Sequence, residues 1–134
     1  MTGARGSPVD FDTAWYALAE RGEPLPELRC VAEAALERNA RSPIILDLRG
    51  LSDVTDFFVI ATGDSDTHTR AISENIVDRA REAGFRPVGV EGMRSGRWVL
   101  MDFVGLIVHV FLRPVRDFYR LESLWGDAPG IELE

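Results

Sequence analysis

The residues best suited to chemistry lie in Thr62-Gly-Asp-Ser-Asp-Thr-His68, where an apolar run passes into a glycine-led polar cluster. A strand-to-helix turn of this kind can cradle a phosphate on the free N–H groups of the helix it opens. The chain has no lysine, so the P-loop cation is missing, and no G-x-G-x-x-G spacing is present. Nucleotidyl transfer would further need carboxylates clustered on a neighbouring strand to hold two metal ions. Later strands supply only Glu91 and Asp102. The plainer reading makes Ser65 or Asp66 the N-cap of a helix. His68, in the first turn, then reads as a capping or surface residue rather than a general base.

The other reactive side chains stand alone. His109, in Ile107-Val-His-Val-Phe111, has no second His or Cys at ligand spacing and reads as a hydrogen-bonded sheet histidine. Cys30, the single cysteine, falls in a helical apolar pattern, reads as a small core residue and can form no intrachain bridge. No nucleophile has an identifiable base, and no cofactor or metal is expected. One further constellation points to binding. In Arg97-Trp-Val-Leu-Met-Asp-Phe103 a period of two puts Trp98, Leu100 and Asp102 on one face and Val99, Met101 and Phe103 on the other. Both faces are largely apolar, so one is covered by the chain's own helices and the other is either core or a patch that a partner buries. Aromatic residues dominate such anchors, although periodicity alone favours core.

The elements that must position these residues read from the apolar spacing. Asp10 to Arg21 carries Phe11, Trp15 and Leu18 at helical intervals and stops at Gly22; Glu27 to Arg41 carries Leu28, Val31, Ala32, Ala35 and Leu36. Pro43 ends that helix. Ile44 to Arg49 reads as a strand, and Phe57 to Thr62, with no polar alternation, as a central strand covered on both faces. Ile72, Ile76, Ala80 and Ala83 mark a helix closed by Gly84. Arg86 to Glu91, Arg97 to Phe103 and Leu106 to Leu112 read as strands joined by Gly92 to Gly96 and by a tight Val104-Gly105 hairpin. Pro114 opens a last helix whose stripe is Val115, Phe118, Leu121 and Trp125. This order predicts an α/β fold, a mixed five-stranded sheet with flanking helices.

Composition narrows the partners. Fifteen basic residues, all arginine, against twenty-two acidic ones give a net charge of −7, so the chain as a whole repels a phosphate backbone. No direct nucleic-acid specificity is expected. No segment reaches the length of a membrane span, and Met1 to Pro8 lacks the apolar stretch of a signal peptide, so the expected location is cytoplasmic. At 134 residues the chain makes about one domain.

Six segments keep the order and spacing of one family: Asp47-Leu-Arg-Gly-Leu51, Thr55-Asp-Phe-Phe-Val-Ile-Ala-Thr-Gly63 with Ser65 and His68, Gly89-Val-Glu-Gly92, Trp98-Val-Leu-Met-Asp102, Val108-His-Val-Phe111 and Leu121-Glu-Ser-Leu-Trp-Gly-Asp-Ala128. From about Pro26 to Pro129 the chain resembles the ribosomal silencing factors, also called the Iojap-like family. The resemblance implies a nucleotidyltransferase-like fold without catalysis. It also implies a translation repressor that binds the large ribosomal subunit through its protein number fourteen and blocks subunit joining when nutrients are scarce. Glu91, Trp98, Leu100, Asp102 and Tyr119 carry over as the partner-binding surface. Where the family commonly has Gly-Asp after the aromatic, this chain has Val104-Gly105, so an acidic contact is absent there and the turn can be of another type. The implied organisation is an extension, 1–25, a silencing-factor domain, 26–129, and a tail, 130–134. The helix with Trp15 and Tyr16 either packs on the core or mediates a homodimer. The alternative function is a nucleotidyltransferase-like enzyme with an unrecognised site, which would need the paired carboxylates that the strands after Gly63 do not offer.

Overall fold

The structure is a computed structural model that describes residues 7–134. The signal-peptide reading of Met1 to Pro8 therefore lies mostly outside the described residues. Two helices come first. Helix α1, Phe11–Ala19, starts where the Asp10 carboxylate accepts the Thr13 N–H at 2.8 Å, and it buries Phe11, Ala14 and Leu18. Helix α2, Pro26–Glu37, opens on proline, whose missing N–H costs nothing in the first turn, and it buries Leu28, Val31 and Ala35.

Strand β1, Arg41–Asp47, begins earlier than the apolar spacing indicates. Pro43 sits inside it because the ladder is irregular between Arg41 and Ile44, where Ser42 takes a φ of 48°. A proline cannot donate to a regular ladder, and this irregularity accommodates it. Strand β2, Phe57–Gly63, is buried at every position, as its unbroken apolar run predicts. Helix α3, Asp66–Glu82, follows, then β3, Gly89–Glu91, β4, Trp98–Asp102, and β5, Leu106–Leu112.

The sheet has six strands in the order β3-β4-β5-β2-β1-β6, with only β2 and β5 parallel. The mixed α/β sheet is as expected, with one strand more than the five read from sequence. That strand, β6, Gly130–Glu132, comes from the segment read as a tail and pairs antiparallel with β1. Its outer edge is covered by Val9, which accepts the Glu134 N–H and donates to the Glu132 carbonyl.

Helices α1 to α3 cover one face of the sheet, packing Leu18, Val31, Ile72 and Ile76 against Val59, Val99, Met101 and Val110. Burying each of the larger aliphatic chains contributes roughly 1.5–3 kcal/mol. The second face is covered only in part, by α4, Arg113–Tyr119, and α5, Leu121–Leu124. The sequence predicts one helix here. The structure breaks it at Arg120, which takes a left-handed φ of 49°; within α4 Val115 is buried, whereas Phe118 is 77% exposed.

Candidate functional site

The glycine-led turn proves to be a packing device. The Ser65 hydroxyl accepts the His68 N–H at 3.0 Å and caps α3. The His68 Nδ1 accepts the Asp64 N–H at 2.9 Å, which leaves the proton on Nε2, 2.8 Å from the Arg38 carbonyl at the end of α2. One imidazole thus ties the turn after β2 to the C-terminus of a neighbouring helix. Gly63 allows that approach, since a Cβ there would lie 2.4 Å from the Thr69 Oγ1 and 2.7 Å from its backbone nitrogen. The N–H groups that would cradle a phosphate already have side-chain acceptors: Asp64 N–H donates to His68 Nδ1, Thr67 N–H to Asp66 Oδ1 and His68 N–H to the Ser65 hydroxyl.

Asp47 and Arg49 are also structural. Asp47 is fully buried and accepts from Arg49 Nε at 2.9 Å, Arg49 Nη2 at 2.8 Å and Arg21 Nε at 3.0 Å. Burial by itself would raise this carboxyl, but the Arg49 hydrogen bonds and the two guanidinium charges hold it below the usual carboxylate range. Arg49 also donates to the Leu18 and Gly22 carbonyls and lies over the Phe57 ring at 4.8 Å, locking the end of α1 onto the sheet. Cys30 packs against the core, and burial, then the Glu33 charge, push its thiol up. Its place agrees with a structural role.

What remains is the open end of the second face. Pairing in register puts Glu91 opposite Leu100, Leu100 opposite His109, and Trp98 opposite Phe111, so all of these share one face with Asp102. The helix-covered side of the same strand holds Val99, Met101 and Phe103, all buried. The alternation read from sequence is therefore realised with the Trp98 side turned away from the main core. Trp98 itself is mostly covered. Its ring lies 4.7 Å from Phe111 and 5.0 Å from Tyr119, and its indole N–H donates to His109 Nδ1 at 3.1 Å.

The exposed apolar surface lies just beyond, on α4. Tyr119 is 52% exposed and Phe118 meets it edge-on at 5.0 Å. Leu100 is half-buried and Glu91 exposed, while Asp102 spends one oxygen on the Val104 N–H at 2.7 Å. The structure thus brings Trp98, Leu100, Asp102 and Glu91 together through the sheet and adds Tyr119 through its contact with Trp98. Phe118 is missed by the sequence reading, which placed it in a buried stripe. Two adjacent aromatics, Phe118-Tyr119, cannot both face one core from one helix, and that was the available signal.

His109 is buried, stacked on Phe111 and edge-on to Phe58 at 4.7 Å, and burial pushes its ring down to about 4. The neutral ring is a structural acceptor here. Among the described residues no three His, Cys, Asp or Glu side chains come together as metal ligands would, and no helix is long and apolar enough to cross a membrane.

Comparison with known proteins matches the architecture. A family model described as ribosomal silencing factor during starvation matches residues 22–134. The ribosomal silencing factor RsfS of Bacillus subtilis is 41% identical over 107 residues, covering 80% of this chain and 91% of that protein. The chloroplastic protein Iojap of Zea mays is 38% identical over 103 residues, 77% of this chain and 45% of that protein. The crystal structure of a Chromobacterium violaceum protein superposes with a TM-score of 0.73 at 37% identity, covering 75% of this chain and 83% of that one. A family match across residues 22–134, relatives of that identity and a shared fold together establish that this chain belongs to the ribosomal silencing factor family.

Proposed function

We propose that this protein represses translation as a non-catalytic binding module: it docks on the large ribosomal subunit through that subunit's protein number fourteen and blocks joining of the small subunit when nutrients are limiting. The observation that carries this reading is the aromatic end of the second sheet face, where Trp98 supports Tyr119 and Phe118 at the surface beside Leu100 and Glu91. Exposed aromatics over a packed base, rimmed by acids, have the anatomy of a protein-binding patch. A net charge of −7 favours a basic protein over bare RNA as the first contact. The turn after β2 gives no support to nucleotide chemistry, since its Asp64, Thr67 and His68 N–H groups already donate to side chains.

Sedimentation of the protein with purified large and small subunits tests the reading. The protein should pellet with large subunits and bind isolated ribosomal protein number fourteen with the same variant sensitivities. Pelleting with small subunits alone, or equal binding by variants that strip the aromatic face, would overturn it.

A further inference from the structure

We propose that His109 is a positioning residue for partner binding, its Nδ1 fixing the Trp98 indole in the orientation that presents Tyr119 and the free edge of Trp98 to the large subunit; this rests on the docking-face reading given above. The geometry begins with the tautomer. The Trp98 indole nitrogen is a donor only, so a 3.1 Å contact with His109 Nδ1 requires that Nδ1 carry no proton. The proton of the neutral ring is therefore on Nε2. That atom is buried and has no hydrogen-bond partner among the described residues.

For the fold alone this is a poor choice. The ring stacks on Phe111 and meets Phe58 edge-on, surroundings that an aliphatic or phenyl side chain would fill without stranding a donor. Trp98 is not wholly buried either and keeps part of its surface in water. The bond's specific effect is orientational. Trp98 reaches His109 on one side and Tyr119, at 5.0 Å, on the other, so fixing the indole fixes the support under an exposed aromatic. Holding a side chain in its bound rotamer before association reduces the ordering cost of binding. Burial supports the arrangement by keeping the ring neutral, since a proton on Nδ1 would abolish the acceptor.

The test compares His109→Leu, which cannot accept, His109→Asn, whose Oδ1 can take the place of Nδ1, and Trp98→Ala, each for binding to purified large subunits and for thermal unfolding. His109→Leu should unfold within a few degrees of the parent yet bind about three- to tenfold more weakly, the freedom of one immobilised side chain. His109→Asn should recover most of that loss. In the parent, the Trp98 indole N–H resonance should be slow to exchange and should become fast in His109→Leu. Parent-like binding by His109→Leu alongside weakened Trp98→Ala would overturn the positioning role and leave the docking face standing. Full-strength binding by Trp98→Ala would overturn both. If His109→Leu fails to fold, the parent spectrum decides, since an indole N–H exchanging as fast as free tryptophan contradicts the proposal.

Discussion

Phe118→Ala separates binding from folding more cleanly than any change at Trp98. Phe118 is 77% exposed and touches only the edge of Tyr119 among the ring contacts of the described residues. A phenylalanine offers about 200 Å² of side-chain surface, so about 150 Å² of it is free here. Burying that area under a partner would contribute up to roughly 4 kcal/mol at about 25 cal/mol per Å². Ordering costs at the interface leave about 2 kcal/mol, close to thirtyfold in affinity. The covered remainder, about 50 Å², contributes about 1 kcal/mol to the fold, and alanine's better helix propensity offsets about half of it. Phe118→Ala should therefore melt within a few degrees of the parent while binding large subunits about thirtyfold more weakly. Paired measurements of thermal unfolding and subunit pelleting on one preparation supply the test. Binding within twofold of the parent, by a protein that melts normally, would refute the extension of the docking face onto α4. Trp98→Ala cannot decide this alone, because its ring is packed on Phe111 and its loss costs the fold about 2–4 kcal/mol as well.

Three further changes probe the scaffold. Val104 holds a φ of 75° in a turn closed by Gly105 N–H to the Phe103 carbonyl at 3.1 Å, a strained state for a β-branched residue; Val104→Gly should stabilise by about 1 kcal/mol in urea titrations, after the entropy of glycine is subtracted from the strain relieved. Asp47→Asn breaks the buried ion pair and should cost about 3 kcal/mol at neutral pH. The folded Asp47 carboxyl lies below its unfolded value, so its stabilisation is present above about pH 4 and is lost as pH falls through the folded value; the variant's stability curve should be flatter in that acid range. His109 acts in the same direction over a higher window. Its folded value of about 4 lies below its ordinary 6.5, so the unfolded chain binds the extra proton and stability falls by up to about 3 kcal/mol between pH 6.5 and 4. Denaturant midpoints across that window should show the slope in the parent and lose it in His109→Leu.

The sequence was most legible where one element's neighbours are dictated by its own pattern. The short, unbroken apolar run of β2 has the length and composition of a strand buried on both faces, and Ser65 has the type and spacing of a cap. The alternation around Trp98 separated two faces correctly because the period of a strand leaves no third choice. Longer-range decisions were less visible. Whether Arg120 stays helical or turns left-handed depends on Arg116, whose buried guanidinium binds Glu122, the Ser42 carbonyl and Thr62, elements far apart in the chain. Strand β6 is three residues long and is defined by its pairing with β1, so its own composition carried almost no signal. The Trp98 bond to His109 was recoverable in principle. A hairpin turning at Val104-Gly105 puts Asp102 opposite Ile107 and Leu100 opposite His109, which leaves Trp98 diagonal to that ring on the same face.

Repression by blocked subunit joining is tested most directly by light scattering of purified large and small subunits mixed at joining concentrations of magnesium, after the large subunits have been preincubated with this protein. The joined fraction should fall with dose and saturate at one molecule per large subunit, and Phe118→Ala should need about thirtyfold more protein for the same effect. Undiminished joining at saturating occupancy of the large subunit would contradict it.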